Sequence, residues 1–197
     1  MKRSIFNYDE IKAMIKLFHA GYEEIKAPDI FYGRKNADFG QGFYTTDDRS
    51  FANFWVREKK GAEVYVNTYE LDETDLSVKE FERTPEWFRY VFSNRRSMPD
   101  EYKEYDLIIG PVANDTIFDT LGIITSGFLR DEEAMKLLCI GPSFRQFTLK
   151  SPKAAAALKF VDSRILDKKM IHENKLVFER QQELYAKEFA RVMEELT

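Results

Sequence analysis

Residues Gly33–Trp55 read GRKNADFGQGFYTTDDRSFANFW, and the first half of this run has neither a helix nor a strand period. Gly33, Gly40 and Gly42 break up a polar stretch and lead into Phe43-Tyr44-Thr45-Thr46. The pattern predicts a long structured loop from Pro28-Asp29 that ends in a strand over Gly42–Thr46. Gly40 and Gly42 set its approach, through positive φ or close backbone packing. Asp47 and Asp48 then serve as caps for a helix over Ser50–Lys59, with Phe51, Phe54 and Trp55 on one face.

Upstream, Ile15–Phe18 reads as a strand that delivers His19-Ala20-Gly21. Before it, Asn7 or Asp9 caps a brief helix over Glu10–Met14. Downstream, Glu63–Leu71 alternates at strand spacing. Val78–Phe92 has helical spacing, with a second helix starting at Pro85, and Ser93–Lys103 reads as a charged connector. Tyr105–Ile109 is a strand closed by Gly110-Pro111, and a helix is expected around Thr116–Leu121, with Asp115 as its cap. Asp131 caps a further helix that Gly141-Pro142 stops. Phe144–Leu149 is a strand, Ser151-Pro152 opens an alanine-rich helix to Leu158, and Lys159–Leu166 is the last strand. From Glu173 only a helical period remains, with Phe178, Tyr185, Phe189, Val192 and Leu196 on one stripe that either packs back on the domain, the favoured reading, or meets a partner. This irregular interleaving predicts an α+β fold. The expected organisation is one domain over residues 1–172 and a helical extension over residues 173–197.

With 17 Phe, 10 Tyr and 2 Trp, the chain has rings to spare for gripping a flat ligand as well as filling a core. A net charge of −4 supplies no global field for nucleic acid, and the pairs Arg34-Lys35, Arg95-Arg96 and Lys168-Lys169 read as solvated surface. Cys139, the single cysteine, sits in Leu-Leu-Cys-Ile and reads as a buried, inert thiol. His19 and His172 lack ligand spacing, so no metal site is expected, and His172 reads as solvated in a polar turn. No signal peptide and no membrane-spanning run is present, which points to a cytoplasmic protein.

Three blocks carry a resemblance: FHAGYEEIKAPDIFYGRKNADFGQGFYTTDDRSFANFW from Phe18, YDLIIGPVANDT from Tyr105, and FRQFTLKSPKAAAALKF from Phe144. Together they resemble the ADP-ribosyltransferase superfamily, and within it a bacterial clade of uncharacterised domains, DUF3990. The resemblance implies a split, mostly antiparallel β-sheet core with flanking helices, to which the C-terminal helix is added. It also implies NAD as co-substrate and transfer of ADP-ribose to a macromolecular acceptor, protein or nucleic acid. By analogy with the clade, the chain is the toxin of a toxin–antitoxin or phage-defence pair, with an antitoxin protein as partner.

The same resemblance assigns roles. Tyr44 and Trp55, eleven positions apart, clamp the nicotinamide, whose cationic ring suits aromatic faces. Gly21 lets the backbone approach the nicotinamide amide, with Ala20 beside it, and His19 bonds a ribose hydroxyl. Gly42 and Phe43 line the approach to Tyr44, and Arg34 reaches the pyrophosphate as a forked donor, unless it pairs with Asp38. Gln146 falls where the wider superfamily carries a glutamate that stabilises the oxocarbenium-like transition state. A glutamine can position the ribose but brings no negative charge. The alternatives are an NAD glycohydrolase and an NAD-binding or interaction module with weak or no turnover.

Overall fold

The structure, a computed structural model, describes residues 14–56, 59–113 and 131–196. In chain order these hold β1 (Ile15–Gly21), β2 (Phe43–Thr45), α1 (Arg49–Trp55), β3 (Tyr65–Leu71), β4 (Val78–Glu80) and α2 (Pro85–Arg95). There follow β5 (Leu107–Pro111), α3 (Asp131–Leu138), β6 (Arg145–Leu149), α4 (Pro152–Ala157), β7 (Leu158–Ile165) and α5 (Lys168–Leu196). The strands form two sheets, β1-β3-β7 and β2-β6-β5-β4. Among the described strands every pairing is antiparallel except β4 with β5, which gives the expected α+β class with mainly antiparallel sheets. One bridge joins the sheets: Phe18 and Thr46 exchange backbone hydrogen bonds of 2.8 and 2.9 Å.

Strand alternation sorts side chains between layers. Leu17, Tyr69, Leu71, Phe43, Phe147 and Leu149 bury themselves in one cluster drawn from both sheets. The opposite face of the second sheet presents Ile108 to Trp87, Tyr90 and Val91 of α2, with Phe39 and Phe81 packed among them. On the first sheet, Phe18, Ala20 and Val66 take Ala52 of α1. Leu137 and Ile140 receive Tyr185 and Val192 of α5, while Asn174 donates to the Asn53 carbonyl of α1 at 3.2 Å. The expected stripe thus packs back on the domain through Tyr185, Phe189, Val192 and Leu196, whereas Phe178 stays at the surface.

Local chemistry explains most boundaries. Asp48 caps α1 by accepting from Phe51 N at 3.0 Å, and the helix stops at Trp55 rather than reaching Lys59. Thr84 and Ser151 cap α2 and α4, each with a proline in the first turn. Asp167 accepts from Lys169 N at 2.5 Å, so α5 opens at Lys168, ahead of the point where the sequence period becomes clear.

Further expectations change. Val78–Glu80 is a strand, not helix, because it lies parallel on β5 and is anchored where Asp106 accepts from Ser77 N at 3.0 Å. Cys139 is exposed: α3 ends at Leu138, and the following turn buries Ile140 instead. His172 lies within α5 and is solvent-facing there, not in a turn. The helix expected near Thr116–Leu121, the Asp115 cap and the segment before Met14 lie outside the described residues. No helix among the described residues is long and apolar enough to cross a membrane.

Phe147 is fully buried between the sheets. Truncation to alanine is expected to cost about 3–5 kcal/mol, read by urea denaturation monitored through circular dichroism.

Candidate functional site

The site is built where β1 meets β2. Along β1, Leu17 and His19 face the inner cluster while Phe18 and Ala20 face α1. His19 Nδ1 lies 2.7 Å from the Tyr44 carbonyl oxygen. A carbonyl only accepts, so Nδ1 carries the proton and Nε2 presents a lone pair in the neutral ring. The imidazole titrates below the usual histidine range because burial disfavours its charged form, an effect the bond to Tyr44 only partly offsets. Its ring lies 4.6 Å from that of Phe43. At Gly21 a Cβ would stand 3.4 Å from Nε2, so the glycine leaves that lone pair uncovered on the strand side.

The segment leaving β1 is tied down from β3. Asn67, opposite His19 in the ladder and fully buried, donates to the carbonyls of Glu23 at 3.1 Å and His19 at 3.4 Å, and accepts from Ile25 N at 3.0 Å. Tyr69 donates to the Ile25 carbonyl at 2.6 Å. Sequence reading took Asn67 as one more alternating strand residue. An amide amid aromatic and β-branched neighbours was the available signal that it holds backbone.

The glycine-rich loop folds as its composition requires. Gly40 has φ 73°, and a Cβ at Gly42 would come within 2.7 Å of the Leu149 carbonyl and the Thr148 methyl. The Tyr44 hydroxyl donates to the Gly40 carbonyl at 2.7 Å and accepts from Phe39 N at 2.9 Å. Burial, reinforced by the negative charge of Asp38, pushes this phenol well above the ordinary tyrosine range, so it stays protonated.

Asp38 anchors the loop from beneath. One carboxylate oxygen takes Arg95 through Nε at 2.6 Å and Nη2 at 2.5 Å. The other accepts from Gln146 Nε2 and Ala113 N, both at 2.9 Å. Asn94 donates to the Asp38 carbonyl at 3.2 Å. The partner of Asp38 is therefore Arg95 rather than Arg34, which is exposed. Arg95 and Asn94 sit in α2, where the sequence suggested a connector starting at Ser93. Gln146 is buried, and its second amide hydrogen goes to the Pro111 carbonyl at 3.1 Å. Glutamine suits this position because it donates; a glutamate would set a second carboxylate against Asp38.

Strand alternation divides the sequence-predicted residues between two faces. His19 and Phe43 lie together on the inner side, with Gly21 at the end of β1. Tyr44 and Gln146 share the opposite face of the second sheet, since Tyr44 pairs with Thr148 two positions along β6. Trp55 closes α1, eleven positions after Tyr44 as the sequence sets it, and its ring lies outside the described atoms.

Two outcomes are expected. Gln146→Glu loses about 2–4 kcal/mol at pH 8 and regains stability as pH falls toward about 5. The new carboxyl, its pKa raised beside Asp38, is protonated in the folded chain before the unfolded one, and thermal melts across that range read the effect. For His19 the sign is opposite. The folded value is lowered, so the unfolded chain takes the proton first and stability drops as pH falls below about 6.5. His19→Gln removes that part of the slope.

A search of curated proteins finds no match. A family model described as "Protein of unknown function (DUF3990)" matches residues 15–160, from the start of β1 into β7 and stopping before α5. By that match the chain belongs to the DUF3990 family.

Proposed function

We propose that the chain is an NAD-dependent ADP-ribosyltransferase whose substrate grip lies at the end of β1. The observation that carries this reading is the bond from His19 to the Tyr44 carbonyl. It joins the two parts of the sequence that the resemblance assigns to NAD, His19-Ala20-Gly21 and Gly42-Phe43-Tyr44, at one point. Two mainly antiparallel sheets meeting between β1 and β2 are also what an ADP-ribosyltransferase core requires.

In this reading His19 Nε2 accepts a hydrogen bond from a ribose hydroxyl, and Gly21 leaves its backbone amide and carbonyl open to the nicotinamide amide. Trp55 supplies a ring face, while Tyr44 enters through the carbonyl that holds His19, its own ring lying on the α2 side of the sheet. Arg34, exposed and without an ion pair to the other described residues, is available to the pyrophosphate. The glycosidic bond between nicotinamide and ribose C1′ breaks with its electron pair leaving on nicotinamide. The acceptor nucleophile then bonds C1′ and loses its proton. Gln146 serves this site by positioning, because both amide hydrogens hold Asp38 and Pro111. A macromolecular acceptor, a toxin role and an antitoxin partner follow from the same resemblance.

A second reading, NAD binding with little turnover, is favoured by one observation: where the wider superfamily carries a glutamate, this chain holds a buried glutamine whose two amide hydrogens are both bonded.

The test is nicotinamide release and labelling of cell extract from radiolabelled NAD. Both are expected from the wild type and are expected to fall by at least about tenfold in His19→Ala, with no comparable loss in Arg164→Ala, a change at an exposed site on β7. NAD binding without release would select the second reading. Absence of binding would remove both.

A further inference from the structure

The loop that carries Tyr44 has a second side. Between residues 29–41 and the C-terminal end of α2 lies an open cleft of about 380 Å³, within the range of small-ligand sites (about 300–1,000 Å³). The polar groups of its floor are bonded to one another. Lys150, its side chain 4% exposed, pairs with Asp100 at 2.7 Å and donates to the Phe39 carbonyl. The other Asp100 oxygen accepts from Tyr90 at 2.8 Å and Tyr102 N at 3.1 Å. A Cβ on Gly40 would come within 3.1 Å of Asp100, Lys150 and Asn94, so the glycine keeps this floor open.

The rim differs in kind. Lys35 and Lys103 line the cleft and form no ion pair with the other described residues. With Lys150 they set three positive charges against one negative, in a chain of net charge −4. Phe31 and Met98, 67% and 53% exposed, also line it. Met98 follows Ser97, the one non-glycine residue with positive φ among those described, at 57°. Ser97 is the left-handed residue that closes α2, and it turns the backbone at Met98 away from the helix. The α2 terminus does not oppose an anion strongly, because Arg96, Ser97 and Met98 N–H groups already bond the carbonyls of Phe92, Asn94 and Ser93.

We propose that this cleft binds a nucleotide unit, with the base against Phe31 and Met98 and the phosphate on Lys35 and Lys103. Aromatic and thioether surface suits the face of a planar base, and unpaired ammonium groups suit a phosphate. Neither group alone identifies the ligand; a flat apolar body joined to an anion satisfies both. The site stands apart from the His19 corner, since it opens on the α2 side of the loop while His19 faces Phe43. It holds whether or not the transferase reading does. The shared chemistry covers a free nucleotide and one within a single strand.

The full chain labelled with ¹³C at methionine methyls provides the readout, with Met98 assigned by its loss in Met98→Leu. Titration with adenosine 5′-monophosphate and, separately, with a six-residue deoxyadenylate strand is expected to shift the Met98 methyl upfield and saturably. Tighter binding of the mononucleotide assigns a free ligand, and tighter binding of the strand assigns single-stranded nucleic acid. Phe31→Ala, and Lys35→Glu with Lys103→Glu, are each expected to weaken binding by about tenfold. Gly21→Val, which crowds the His19 corner, is expected to leave the response intact. The proposal is overturned if neither ligand shifts Met98, or if the rim variants bind as the wild type does. It is also overturned if Gly21→Val abolishes the response.

Discussion

A single buried carboxylate, that of Asp38, holds the glycine-rich loop in register with the rest of the chain. Its partners come from α2, from the segment after β5 and from β6, so elements up to 108 positions apart converge on it. A buried carboxylate with fewer donors would be costly, because removing one partner leaves charge desolvated without compensation. Here Arg95 supplies the opposite charge, and Gln146 and the Ala113 amide satisfy the second oxygen. The loop cannot shift without breaking several of these bonds together. The Tyr44 and Gly40 positions therefore inherit their placement from the bonds that Asp38 makes to α2, to β6 and to the segment after β5.

That dependence explains what sequence reading could recover. Local punctuation carried β1, β2, α2, α4 and the turn at Gly40, because capping residues, proline and glycine act over a few positions. The three-residue β4 was hidden because its strand state comes from lying beside β5 and from the anchoring of Ser77 by Asp106. Arg95 was taken for a solvated charge, since nothing near it in sequence names Asp38 as its partner. Cys139 misled through its apolar neighbours: the helix ends at Leu138, two residues before the apolar run does.

The site was legible to a similar depth. His19, Gly21 and the Gly42–Tyr44 run stood out by residue type, and the structure places His19 against β2. Which face each side chain takes is a two-residue period that only strand pairing fixes, and it sets Tyr44 and Gln146 opposite His19 and Phe43. The chemistry expected of Gln146 was drawn from its position in an alignment of motifs. Its hydrogen bonds answer to a local question instead, namely which neutral donor fits between a carboxylate and a peptide carbonyl.

The imidazole takes its orientation from a peptide oxygen, not from a side chain. Every residue type offers that oxygen, so the tautomer of His19 is insensitive to which ring, or whether any ring, occupies position 44. Ring chemistry at 44 and proton placement at 19 can therefore drift separately across relatives. A lineage could exchange the ring at 44 while keeping the same orientation of the imidazole.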